Sequence, residues 1–158
     1  MFFFPISDQN PTRNKPVVCW FVILICIILF FWQQSLSNDD LRKLILSFGM
    51  IPSVLFGFKE LSYELIKIPS ELTIFTSIFL HGGWMHLIGN MMYLHIFGDN
   101  IEDCMGRLRF IIFFSLCGTV AALSQSFVNL ESDIPMIGAS GAVSGILGGY
   151  LLIFPKAK

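Results

Sequence analysis

An all-α membrane protein, folded as a bundle of several helices, is the class that three features of this sequence predict. Residues of the AVILMFWYC set make up 54% of the 158 positions, and Asp, Glu, Lys and Arg only 13%. Soluble domains carry about 25% charged residues, so a polar coat is missing, and the mean hydropathy is +0.72. The apolar residues also run together in stretches about as long as the roughly 20 residues that cross a bilayer core. Ten basic against eleven acidic side chains leave a net charge of −1, which gives a nucleic-acid partner no electrostatic footprint. The expected solvent is the lipid bilayer.

The first span runs from Val17 to Trp32 without interruption, after a tail at 1–16 that carries Arg13 and Lys15. Its bulk, and the lack of a small-x-small cleavage site behind it, argue against a signal peptide. A broken stretch follows, in which Leu41, Leu44, Ile45 and Phe48 recur at helical spacing beside Asp39, Asp40, Arg42 and Lys43. That pattern fits a short amphipathic helix, either in the membrane interface or packed on the protein. Further spans are expected at 78–97, 108–128 and 137–154, the last one rich in glycine. Arg13 and Lys15, Arg107 and Arg109, and Lys156 and Lys158 flank the spans, while 129–136 carries no basic residue. By the positive-inside rule both ends face the cytoplasm, although Arg42, Lys43, Lys59 and Lys67 in the long first loop run against it.

Cys19, Cys26, Cys104 and Cys117 show neither a C-x-x-C spacing nor histidine neighbours. They read as small hydrophobes, with no metal and no cofactor expected.

Polar side chains at membrane depth carry the functional signal, because lipid tolerates them only toward a bundle interior or a site. At 100° per residue, His86 and Asn90 lie about 40° apart on the second span, on the face of Gly82, Gly89 and Tyr93. His95 points the other way. Such a pair serves equally as interhelical hydrogen bonding. The fourth span opens Gly138-Ala139-Ser140-Gly141, and Gly141, Gly145 and Gly149 repeat at every fourth position. That repeat is a close-packing device. A serine at a helix start is different, because first-turn N–H groups lack partners and can hold a developing anion.

These motifs resemble the rhomboid family of intramembrane serine proteases. The resemblance is carried by Phe79-Leu80-His81-Gly82-Gly83-Trp84-Met85-His86-Leu87-Ile88-Gly89-Asn90, by Phe97-Gly98-Asp99-Asn100-Ile101-Glu102-Asp103, by Gly106-Arg107-Leu108-Arg109-Phe110 and by Gly138-Ala139-Ser140-Gly141. It implies a rhomboid-like polytopic bundle in which four of the family's six transmembrane helices are present, with 17–158 as the membrane domain. It implies Ser140 as nucleophile, and an oxyanion hole of the His86 and Asn90 side chains and the Ser140 N–H, with Gly138 letting the preceding loop approach. Glu102 and Arg107 fall in a loop that the family uses for structural hydrogen bonds. The expected partners are transmembrane protein substrates, and the expected place is the plasma (inner) membrane, with the N-terminus cytoplasmic.

The chain also departs from that pattern. The family's general-base histidine lies on the sixth helix, and this sequence stops at Lys158, just past the fourth span. His86 is taken by the oxyanion side, His95 faces away, and Lys156 and Lys158 lie more than about four turns beyond Ser140. An incomplete rhomboid, inactive alone, is therefore expected. Its glycine seam would be left bare and prone to self-association. Ser144 occupies a place where some members carry an aromatic residue, and the first loop lacks the Trp-Arg pair of others. A non-catalytic rhomboid-like protein that binds transmembrane clients is the alternative. A small channel or transporter subunit would carry intramembrane polar groups without a helix-start serine.

Overall fold

A computed structural model describes residues 10–156. Lys158, and the first nine residues of the tail, lie outside the described residues. Seven α-helices follow in order among these: α1 (Val17–Ser35), α2 (Asn38–Phe48), α3 (Pro52–Leu55), α4 (Thr73–Thr76), α5 (Trp84–Met105), α6 (Arg107–Ser126) and α7 (Ser140–Ile153). Short 3-10 turns at Tyr63–Leu65, Ser70–Leu72 and Ser77–Phe79 complete the helical elements. The described residues contain no β-strand, only an isolated antiparallel bridge between Met50 and Met136. The fold class is the helical membrane bundle that the sequence predicts.

On α1, Cys19, Val22, Cys26, Phe30 and Gln33 form one buried stripe, spaced three or four apart as a helix face requires. Trp20, Phe21, Leu24, Ile28 and Phe31 are exposed, which suits lipid rather than water. The stripe packs on α5, where Cys19 Sγ reaches the carbonyl of Leu94 at 3.3 Å and a Cβ at Gly98 would collide with that sulfur. α1 and α6 are each long and apolar enough to cross a membrane alone.

The second span differs from its sequence-based bounds. Gly82 and Gly83 break the chain, the segment Ser70–Phe79 is bent by 82° from α5, and α5 begins only at Trp84 and continues to Met105. His81 therefore sits in the break rather than on the helix. Gly106, at φ +81°, turns α5 directly into α6, a backbone angle that glycine adopts without steric penalty.

The fourth span also starts later than 137. Ser140 is the first residue of a 14-residue helix only about 21 Å long, against about 30 Å of hydrocarbon. The irregular segment before it is held by protein. Met50 N–H donates to Met136 O at 3.1 Å, and Met136 N–H returns a bond to Met50 O at 2.7 Å. Ser53 Oγ donates to Asp133 at 2.7 Å, and Lys59 pairs with the same carboxylate. The Lys59 ammonium and the Ser53 hydroxyl hold the Asp133 carboxyl below its usual range. The first loop thus anchors the loop that delivers Ser140.

α2 is the amphipathic helix expected at 41–48. Ser37 caps it by accepting from the Asp40 N–H, and its buried residues, Leu44 and Ser47, face the protein, with contacts to α4.

The glycine seam of α7 is filled, contrary to expectation. A Cβ at Gly141 would strike Ala121, one at Gly145 would strike Cys117, and one at Gly149 would meet Phe113. Those three α6 residues are themselves four apart, so the glycine row of α7 receives one row of α6 side chains along its length. The seam is therefore not bare, and it gives no ground for self-association. Gly145→Val is expected to force α6 and α7 apart and to cost about 1–3 kcal/mol, whereas Gly148→Ala, with open space around it, should be neutral. Thermal unfolding in micelles reads the difference, and equal midpoints for the two variants would contradict the packing.

Candidate active site

Three elements converge where α7 begins. α5 presents His86 and Asn90 one turn apart, the irregular loop brings in Gly138, and α7 starts with Ser140. Ser140, His86 and Asn90 line one recess of about 370 Å³, together with Tyr93 and Ser144. A second recess of about 300 Å³ reaches Ser140 from the α6 side, past Ser77 and Gln125. A larger one, of about 460 Å³, lies under the first loop between Leu46 and Thr73 and includes none of these residues.

Gly138 is held by its N–H, which donates to Ser77 O at 2.8 Å. Its φ of +121° lies where side chains are rarely tolerated, and a Cβ there would overlap the His86 ring at Cε1 and Nε2. The loop backbone thus lies directly on the imidazole. Ser140 is solvent-accessible, His86 half-buried and Asn90 buried. The first N–H groups of α7 have no intrahelical acceptors, and the first of them belongs to Ser140 itself.

Of the other histidines, His81 is buried and His95 exposed. His81 Nε2 lies 3.1 Å from Asn90 Nδ2, and its ring meets that of His86 edge-on at 5.3 Å between centroids. Neither His81 nor His95 borders the Ser140 recess. Gln33, which the sequence motifs do not include, holds the His81 backbone through two bonds. A polar amide on the otherwise apolar buried row 19, 22, 26, 30 was the available signal.

Glu102, expected in a loop, lies on α5, and Arg107 is the first residue of α6. One carboxylate oxygen accepts the Val18 N–H at 3.1 Å and the other the Cys19 N–H at 2.7 Å. These are orphan donors of α1's first turn, matched by negative charge at a helix N-terminus. Arg107 stands 4.0 Å from the same carboxylate. Asp103 accepts from the Arg13 and Asn14 N–H groups, and so binds the tail to the same end of the bundle.

Several known proteins are similar to this chain. The Rhomboid domain family matches residues 69–158. The chain is 30% identical over 141 residues to Rhomboid protease GluP of Bacillus subtilis, covering 89% of this chain and 25% of that protein. It is 25% identical over 148 residues to Rhomboid protease GlpG of Salmonella paratyphi A, covering 94% and 47%. It is also 30% identical over 124 residues to RHOMBOID-like protein 5 of Arabidopsis thaliana, covering 78% and 40%. The chain spans less than half the length of each of these relatives. A helical bundle with spans suited to lipid and a family match over more than half of the sequence lead to one conclusion: this is an integral membrane protein that belongs to the rhomboid family.

Proposed function

We propose that this chain supplies the nucleophile and the oxyanion-binding half of an intramembrane serine endopeptidase acting on transmembrane segments. The observation that carries the reading is the single recess shared by Ser140, His86 and Asn90 at the start of a short helix. In the reaction a base takes the Ser140 hydroxyl proton as Oγ attacks the scissile carbonyl. The carbonyl electrons move to oxygen, and the oxyanion lies against the His86 and Asn90 donors and the Ser140 N–H. Collapse expels the amine, which takes the proton and leaves an acyl-serine. Water then releases the carboxylate and restores the hydroxyl.

No histidine of the chain is free to be that base. His86 is an oxyanion donor, His81 is bonded to Asn90, and His95 lies outside the recess. The 158-residue chain alone is therefore inactive in this reading, and a base must come from outside it. The same shortage supports a second reading, a rhomboid-like protein that binds transmembrane clients without cutting them. The N-terminal tail, the turn at Gly106 and Tyr150 near the end of α7 share one end of the bundle. That grouping puts Arg13, Lys15, Arg107 and Arg109 on one side, which supports a cytoplasmic N-terminus in a plasma (inner) membrane.

Labelling by a fluorophosphonate, with the family's last two helices co-expressed, tests the enzyme reading. Labelling of the parent that disappears in Ser140→Ala is expected, and equal labelling of both would overturn it. The chain alone is expected not to cleave a transmembrane substrate. Cleavage abolished by Ser140→Ala would move the base to His81 or to a neighbouring copy.

A further inference from the structure

α1 ends its buried stripe on an amide instead of a hydrocarbon. Gln33 is 1% exposed, and its side chain meets the backbone of His81 at both ends. Gln33 Nε2 donates to His81 O at 3.1 Å, and Gln33 Oε1 accepts the His81 N–H at 3.1 Å. One planar amide thereby fixes both polar groups of a residue in the break before α5, where no helix would satisfy them.

The imidazole of His81 is fixed as well, and its protonation follows from its partners. Nδ1 faces the Phe79 carbonyl at 3.3 Å. A carbonyl only accepts, so Nδ1 carries the ring proton and Nε2 keeps a lone pair. Asn90 Nδ2, 3.1 Å away, must then be the donor. This decides which way the Asn90 amide faces. A rotation about its last torsion would set Oδ1 against the Nε2 lone pair, two acceptors with no proton between them. With Nδ2 held through one N–H, the second N–H is the donor left to Asn90, which lines the Ser140 recess.

We propose that Gln33 and His81 are positioning residues for Asn90. Gln33 holds the His81 backbone, the Phe79 carbonyl sets the tautomer, and the Nε2 lone pair keeps Asn90 presenting N–H rather than carbonyl oxygen to the oxyanion. The inference rests on the reading of Asn90 as an oxyanion donor.

A peptide boronate tests it on the 158-residue chain in micelles, because a boronate forms a tetrahedral adduct with serine and needs no turnover. Asn90→Ala should weaken its Kd by about 100-fold. His81→Phe should weaken it about tenfold when Asn90 is present, and less than about twofold in the Asn90→Ala background. His81→Gln, which returns an acceptor oxygen, should recover most of the loss. Equal losses from His81→Phe in both backgrounds would make His81 merely structural and overturn the inference. No effect from Asn90→Ala, or no boronate binding at all, would instead overturn the oxyanion reading beneath it. A measurement that needs no variant stands beside these. Nitrogen-15 spectra of the parent should show His81 protonated at Nδ1 and bare at Nε2, and the opposite tautomer would refute the proposal.

Discussion

Asn90→Ala is expected to lower kcat about 100- to 1000-fold, the 2.7–4 kcal/mol that loss of one oxyanion donor costs in other hydrolases, and to leave KM nearly unchanged. The split follows from the timing of the interaction. In the proposed reaction, negative charge arises beside Asn90 only once the serine oxygen has added, so its removal would be felt in the transition state and little in the bound ground state. Asn90 also donates to His81 Nε2, and alanine leaves that buried acceptor unpaired, a loss of about 1–3 kcal/mol in stability. Thermal unfolding must therefore accompany the kinetics, measured with the base supplied as in the labelling experiment. A variant that unfolds outright would show Asn90 to be interhelical packing in the first place. One that folds and cleaves at the parental rate would refute the donor assignment.

The parts of this site that sequence makes legible share a physical basis. His86 and Asn90 are four residues apart, and helical periodicity alone puts them on one face. Ser140 is recognisable as a helix start because Gly138-Ala139 precedes it and an apolar run follows. The seam at Gly141, Gly145 and Gly149 is legible as a packing face, but its partner is not. Spacing within one helix says nothing about which neighbour fills it, and only the fold shows that Phe113, Cys117 and Ala121 of α6 do so. The helix over the second span begins later than the apolar run for a related reason. Hydropathy continues across 78–83, while the Gly82-Gly83 pair breaks the helix and bends the path by 82°. The partner of Gln33 and the Ser53–Asp133–Lys59 cluster were out of reach, because each contact spans more than 45 residues of sequence.

Gly138→Ala is expected to remove at least 100-fold of the activity, by a route that involves no donor. The residue sits at φ +121°, and holding a side chain in a sparsely populated region costs about 1–3 kcal/mol. The loop has little freedom to relax that strain. Its N–H is bound to Ser77 O at 2.8 Å, and two residues earlier Met136 is bridged to Met50 in both directions. The added methyl would occupy the space of His86 Cε1 and Nε2, so the imidazole must move. A displacement of about 1 Å in a reacting constellation costs about 100-fold. A second substitution separates the two effects. His86→Gly in the Gly138→Ala background opens the space, and should recover the part of the stability lost to the clash while leaving the φ strain and restoring no activity. Recovery of activity by that double variant would mean that His86 is no donor. Parental turnover by Gly138→Ala alone would mean that the loop does not hold the ring in place.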